Sequence, residues 1–317
     1  MAVVSPRTKS IQKRLAHFHQ LPPELVILVS EYLLSCTRSS LFLISPTLVC
    51  QYFYGCLKSY SSFWTDLLID LSALEAHAGD AALDDLTRKV NHALNYSQDK
   101  RLALTINLLR SSSDMDDSIG SLLNDAFIIL YRKTLPLCRE LTIKSSLWLD
   151  MQTLTGFLEW YIRDKQNAIE SFDMVYKPTN TIEAFATPHA LPLWRTGGIS
   201  PLIMIDDPGS TIPSETPFPS LEHVKIDNIT HSWSLLTLSG LHTFRLLNIP
   251  SHNSPSYTEI QRLLLSNAET LTTLELSHIS VSDIETIGGQ FTLPNVKSLT
   301  IGFAHPNDLV WASQTLD

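Results

Sequence analysis

The chain has 317 residues, and its 23 Lys and Arg against 32 Asp and Glu give a formal net charge of −9. Hydrophobic residues make up 44% of the chain and charged residues only 17%, a composition too apolar for a disordered protein. The longest apolar runs, near 25–34 and 41–50, are interrupted by Glu31 and by Ser45-Pro46, well short of the ~18 residues that span a bilayer, so a transmembrane protein is excluded. The acidic charge argues against nucleic acid and anionic membranes as partners.

The cysteines and the N-terminus indicate where the protein resides. No C-x-x-C pair exists, and the cysteines are too few for a disulfide scaffold, so we expect reduced, mostly buried residues at Cys36, Cys50, Cys56 and Cys138. Residues 1–16 form a basic tail without the apolar core of a secretory signal. These features favour a cytoplasmic or nuclear protein.

The first predicted element is a helix that begins at the Pro22-Pro23 pair. Proline is tolerated in the first helical turn, and Glu24 complements the positive end of the helix dipole. The following apolar residues have the i, i+3, i+4, i+7, i+8 spacing of an amphipathic helix, and we expect this face to be buried: Leu25, Leu28, Val29, Tyr32 and Leu33.

A second helix start is predicted at Ser45-Pro46, where a side-chain oxygen is available as N-cap before a proline. Its apolar stripe comprises Leu48, Val49, Tyr52, Phe53 and Cys56. Beyond Phe63-Trp64, the alternation of Leu67, Ile69 and Leu71 with other residues predicts a strand.

These elements carry a family resemblance. Leu21-Pro22-Pro23-Glu24-Leu25, then Leu48-Val49-Cys50, then Trp64 resembles an F-box. The resemblance implies a three-helix domain over 17–66 that docks onto a Skp-type adaptor, and through it a cullin, in an SCF-type ubiquitin ligase. It implies adaptor contacts from Leu21, Pro22, Leu25, Val49 and Trp64. The alternative interpretation is a helical cap on the region that follows.

Weak internal repeats follow. Three segments share the template apolar-Pro-x-apolar-x-x-apolar-x-apolar, beginning at Leu135-Pro136, Phe218-Pro219 and Leu293-Pro294. Roughly 0.6 such matches are expected by chance in this composition. With related segments that lack the proline, they predict strands that end at Ile106, Ile143, Met174, Ile205, Ile226, Leu246, Leu276 and Ile301.

Helical patterns lie between these strands. They cover 83–94, 119–133, 149–165, 257–268 and 282–287. Strand and helix in alternation predict an α/β fold with a parallel strand face, either a solenoid or a doubly wound sheet. Over 67–317 the segments resemble the degenerate leucine-rich repeats that follow an F-box in many fungal proteins, with a Pro-rich irregular section at 178–219. The fold class expected is an irregular solenoid after three N-terminal helices.

Alternation of side chains along a strand also nominates a binding surface. The positions between the inward-facing apolar residues point to the opposite face of the sheet. They are mixed in charge, which suits a polypeptide partner better than a phosphate backbone. The expected target-binding residues are Lys225, Arg245, Glu275 and Thr300.

Signatures of catalysis are absent from the sequence. It contains no G-x-S-x-G elbow and no G-x-x-x-x-G-K-[ST] loop. His17-x-His19 lacks a third metal ligand, and the Asp114-x-Asp116-Asp117 run lacks the Gly and Glu that a calcium loop needs. We therefore expect no catalytic residue, no metal and no cofactor. The sequence favours a non-catalytic subunit that recruits a target protein to a ubiquitin ligase. The alternatives are a leucine-rich-repeat scaffold that acts outside any ligase and an enzyme without a recognisable motif.

Overall fold

The computed structural model describes residues 21–37, 51–72, 79–98, 100–109, 117–147, 169–178, 220–229, 238–249, 251, 254–281 and 292–303. The α-helices in this part of the chain are α1 (Pro23–Thr37), α2 (Gln51–Lys58), α3 (Gly79–Ser97), α4 (Asp117–Lys133) and α5 (Tyr257–Leu265). Two short 3₁₀ helices span Ser61–Trp64 and Leu135–Leu137. The predicted helices at 83–94, 119–133 and 257–268 are confirmed, whereas 149–165 and 282–287 lie outside the described residues.

The strands that the structure describes form one parallel sheet. Its strands are β1 (Asp66–Asp70), β2 (Leu102–Leu108), β3 (Cys138–Ser145), β4 (Ser171–Tyr176), β5 (His223–Asp227), β6 (Thr243–Leu247), β7 (Thr273–Ile279) and β8 (Ser298–Phe303). Each strand pairs with the next one in the sequence, in the order β1 to β8. A doubly wound sheet would reverse its strand order at a switch point, and these eight strands show no reversal.

The predicted strands are confirmed with one exception. The strand expected to end at Ile205 lies outside the described residues. Because β4 pairs directly with β5, no strand lies between these two in the sheet.

The core follows one face of the sheet. In-register positions on successive strands are all buried: Leu67, Leu104, Leu141, Phe172, Val224, Phe244 and Leu274. At the last strand this continuity ends, because the matching Leu299 is half exposed. Burial of one aligned apolar row from each strand is what the alternating pattern predicted.

Helix α1 corrects one expectation. The stripe predicted to be buried is exposed, and the opposite face, with Val26 and Ser30, is buried instead. The Ser30 hydroxyl donates to the Val26 carbonyl at 2.8 Å, so this polar group needs no partner from another element. The helix has apolar residues on both faces, so its pattern predicts a helix without specifying which face packs.

Two strands are directly followed by a left-handed residue, and β7 contains one just before its last residue. Asn228, Asn248 and His278 have φ values of 57°, 53° and 53°, and each follows the same register position on β5, β6 and β7. Asparagine and histidine are enriched in this conformation. The backbone N–H of Asn228 donates to the Leu247 carbonyl at 2.8 Å, and that of Asn248 to the Ser277 carbonyl at 2.9 Å. These turns place the next residue back in the core, as with Ile229 and Ile249.

Two further expectations concern the cysteines and the membrane. Cys138 is buried, Cys56 is half-buried and Cys36 is exposed, so burial of the cysteines is less general than predicted. Cys36 lies near the C-terminal end of α1, on a helix whose exposed side is largely apolar. Among the described residues, no helix is both long enough and apolar enough to cross a bilayer.

Candidate functional site

An exposed apolar surface lies on α1. We call it the helical surface; its members are Leu25, Leu28, Val29, Tyr32 and Leu33. The exposed fractions of Leu25, Leu28 and Val29 are 45%, 60% and 49%. Single exposed apolar residues are ordinary, but a contiguous stripe along one helix is typical of an interaction surface.

The opposite face of α1 is fixed to the rest of the fold. Leu21, just before the helix, is half-buried, and its carbonyl accepts a hydrogen bond from the Tyr52 hydroxyl of α2 at 2.5 Å. Val26 is fully buried in the same core cluster as Leu57 of α2. Contact with α2 therefore orients α1, so that the helical surface points away from the core.

Trp64 belongs to the core rather than to this surface. Its ring is fully buried and packs against His92 and Tyr96 of α3, with ring centroids 5.4 and 5.2 Å away. The indole N–H donates to the Leu57 carbonyl at 3.2 Å. In this conformation Trp64 is enclosed and holds α2 against α3, so a partner that contacts the helical surface does not reach its ring.

The other residues predicted to contact an adaptor lie in different environments. Pro22 and Leu25 are exposed and close together at the start of α1, whereas Leu21 is only half-exposed. Val49 lies outside the described residues. The structure thus leaves Pro22, Leu25, Leu28 and Val29 exposed along α1, although sequence analysis had assigned the last three to a buried face.

The predicted target-binding residues form one row across the sheet. Lys225 pairs in register with Arg245, Arg245 with Glu275, and Glu275 with Thr300. The row continues in the other direction to Asp173 of β4, which pairs with Lys225. We call Asp173, Lys225, Arg245, Glu275 and Thr300 the strand row. All four predicted positions are neighbours, on the face opposite the core.

Asp173 was missed by sequence analysis, although the signal was present. It lies between the buried Phe172 and Met174, so strand alternation places it on the outer face. Burial raises the pKa of its carboxyl, and the positive charges of Lys225, Arg245 and Lys144 oppose that rise. Asp173 is therefore a partly desolvated carboxylate surrounded by cations at the centre of the sheet.

Carboxylates flank the two cations of the strand row. Lys225 Nζ lies 3.7 Å from Asp227 Oδ2, and Arg245 Nε lies 3.5 Å from Glu275 Oε2. The other Asp227 oxygen, Oδ1, accepts a hydrogen bond from the Asn248 side-chain amide at 2.8 Å. Asn248 thus both turns the chain at the end of β6 and holds the carboxylate that contacts Lys225.

The asparagines at the strand ends were also missed. Asn228 and Asn248 directly follow β5 and β6, one residue before the buried Ile229 and Ile249. The Asn228 amide donates to the Tyr176 carbonyl at 3.1 Å, which ties the exit of β5 to that of β4. The repeated pairs Asn228-Ile229, Asn248-Ile249 and His278-Ile279 are the sequence signal that could have identified these turns.

A second set of charged side chains lies at the end of the sheet where the strands begin. Arg101 Nη1 lies 2.5 Å from Glu170 Oε1, and Arg139 Nε lies 3.5 Å from Glu170 Oε2. Arg139 also pairs with its neighbour Glu140. These ion pairs connect the segments that lead into β2, β3 and β4, and their exposure makes each of them worth little to stability.

Among the described residues, no group of three His, Cys, Asp or Glu side chains is placed to hold a metal ion. Burial raises the pKa of the Cys138 thiol to about 12, which keeps it protonated and a poor nucleophile at neutral pH.

Comparison with known proteins yields no relative. No family model matches the chain, and neither a curated protein nor a solved structure does. The function therefore has to be argued from the helical surface and the strand row themselves.

Proposed function

We propose that the chain is an F-box-type, substrate-recruiting subunit of an SCF-type ubiquitin ligase. In this proposal, α1 and α2 bind a Skp-type adaptor, and an irregular leucine-rich-repeat-like solenoid presents the outer face of its sheet to a target protein. The protein contributes no catalytic residue. Its effect is to raise the local concentration of the target beside the ubiquitin-loaded enzyme.

The observation that carries the proposal is the helical surface. It follows directly on the Leu21-Pro22-Pro23-Glu24-Leu25 motif, the segment that resembles an F-box, and it is apolar and exposed. Burial of three side chains such as Leu25, Leu28 and Val29 against a partner contributes roughly 1.5–3 kcal/mol each at full burial. Binding would therefore stabilise the complex through groups that contribute little to the isolated chain.

Co-expression with a Skp-type adaptor tests the proposal. We expect co-purification of the wild-type chain and its loss in a Leu25→Asp, Leu28→Asp double variant, because the complex would bury unpaired carboxylates in an apolar interface. Leu21 is left unchanged, since it packs against the core and a charge there would disturb the fold.

A matched control is Leu265→Asp. Leu265 at the end of α5 is 49% exposed, comparable to Leu25, and lies on a helix far along the sequence from α1. This variant adds one carboxylate at an apolar position as exposed as Leu25 and should co-purify normally. A folded wild-type chain that fails to bind the adaptor would overturn the proposal.

A second candidate is a repeat scaffold that acts outside any ligase. It is favoured by the continuity of the core, in which Val26, Leu57, Phe63 and Trp64 belong to the same cluster as the first strands. By this interpretation the N-terminal helices cover the β1 end of the sheet. It predicts a folded chain that does not bind the adaptor and that still binds its target when Leu25 and Leu28 are changed.

A further inference from the structure

The strand row contains a pair of like charges in register. Lys225 and Arg245 face each other on adjacent parallel strands, with Asp227 and Leu247 in register beside them. Like charges at directly opposite positions in a sheet destabilise it. Local conflicts of this kind concentrate at functional or strained sites.

The two cations are also more exposed than the carboxylates that pair with them. The side chain of Lys225 is 28% exposed against 17% for Asp227, and that of Arg245 is 47% exposed against 29% for Glu275. Asp173 on the other side of Lys225 is half-buried and partly desolvated. The outermost groups at the centre of the sheet are therefore positive, although the chain as a whole carries a net charge of −9.

Both cations keep hydrogen-bonding capacity. At 3.7 Å, the Lys225 Nζ to Asp227 Oδ2 distance is longer than a hydrogen bond. Glu275 contacts Arg245 at Nε, and within the part of the chain that the structure describes the terminal guanidinium nitrogens of Arg245 donate no hydrogen bond. Donors from both side chains are therefore available to an incoming acceptor.

We propose that Lys225 and Arg245 together bind the carboxylate of a single Asp or Glu side chain in the target protein. This inference rests on the proposed role of the strand row as the target-binding surface, and it specifies the chemistry of the target. A carboxylate between the two cations would relieve their repulsion and form charge-assisted hydrogen bonds to both. The guanidinium matches carboxylate geometry, since its planar donors can engage both oxygens.

The flanking carboxylates limit what can bind. Asp173, Asp227 and Glu275 surround the cation pair on three sides, so a run of negative charges would meet repulsion beyond the first contact. A polyanion such as a nucleic acid needs clustered positive charge over a larger area. The site therefore fits a single acidic residue flanked by neutral or basic ones.

Peptide selection on the intact protein tests this. A phage-displayed library of random dodecapeptides is selected on the immobilised full chain, and we expect enriched peptides with Asp or Glu at one fixed position. A synthetic peptide from this set should bind about tenfold more weakly when that residue is replaced by its amide, a change of about 1.4 kcal/mol.

Variants of the protein locate the effect. Lys225→Gln, Arg245→Gln should lose the preference for the acidic peptide, whereas Lys225→Arg, Arg245→Lys should keep it because both charges remain. Arg88→Gln, Lys89→Gln changes two exposed cations on α3 and should have no effect. Enriched peptides without an acidic position, or an acidic preference that survives in Lys225→Gln, Arg245→Gln, would overturn the inference.

Adaptor co-purification of the same preparations separates this inference from the proposed function. Adaptor binding without an acidic preference would refute the inference and leave the ligase role standing. An acidic preference that depends on Lys225 and Arg245 in a chain that ignores the adaptor would support a peptide-binding scaffold instead.

Discussion

Helices α1 and α5 both carry apolar residues at positions i, i+3 and i+7, but these residues lie in opposite environments. In α5, Tyr257, Ile260 and Leu264 are buried against the sheet, and the N-cap Ser256 forms a capping box with Glu259. In α1, the equivalent stripe is exposed and a second apolar face packs on α2. The periodicity of a sequence therefore predicts that a helix has an apolar face. The neighbouring elements decide whether that face is buried.

The contrast between the two helices is tested most strongly by placing one charge on the apolar stripe of each. Leu264→Asp buries an unpaired carboxylate in the core and should destabilise the fold by more than about 4 kcal/mol. Leu28→Asp lies on the exposed stripe and should change stability by less than about 0.5 kcal/mol. Urea unfolding of both variants measures this, and a large loss for Leu28→Asp would show that the stripe is covered within the chain.

Trp64 closes the motif that resembles an F-box, and its burial gives a second test of the contrast between buried and exposed apolar residues. Trp64→Ala should cost about 3–5 kcal/mol, because a fully buried ring that packs on His92 and Tyr96 is removed. Trp64→Phe keeps an aromatic ring and should cost clearly less. Thermal unfolding measures both, and a stable Trp64→Ala variant that no longer binds the adaptor would instead place this ring in the interface.

The turns at the strand ends give a smaller effect. Asn248→Ala should cost about 1–2 kcal/mol, since alanine tolerates the positive φ poorly and the hydrogen bond to Asp227 is lost. Asn248→Gly relieves the backbone strain and keeps only the loss of the hydrogen bond. A glycine variant no more stable than the alanine variant in urea titration would contradict this account.

The smallest effect expected is a pH dependence at α3. Burial lowers the pKa of His92 from its usual 6.5, so the unfolded chain binds this proton more tightly than the folded one. Stability contributed by neutral His92 is present above pH 6.5 and is lost as the pH falls through the folded pKa.

A non-titrating variant isolates this contribution. His92→Phe keeps an aromatic ring against Trp64 and Tyr96 and should show a smaller fall in melting temperature between about pH 7.5 and 5.5. An identical fall in wild type and variant would show that other groups cause the acid sensitivity.

Much of the sheet could be predicted from sequence because strand alternation is a local signal. Leu221, Val224 and Ile226 follow Phe218-Pro219 at the template spacing, and β5 lies there. The same alternation places Lys225 and Arg245 on one face, and the structure aligns them in register. A period of two residues fixes the face of every side chain once the strand exists.

The features that could not be predicted depend on contacts between elements, which the sequence alone does not show. The face of α1 that packs is decided by α2, through contacts such as the bond from Tyr52 to Leu21, and both faces of α1 are apolar. The left-handed turns at Asn228 and Asn248 have a sequence signal, but it becomes readable only when the register of the strands is known. Burial of Trp64 likewise follows from the position of α3.

The most direct test of the central claim is a titration of the purified full chain with a purified Skp-type adaptor by isothermal calorimetry. The account predicts saturable binding for the wild type and for Leu265→Asp, and none for the folded Leu25→Asp, Leu28→Asp variant. Equal binding by all three proteins, or no binding by the folded wild type, would contradict the assignment of the helical surface as the adaptor site.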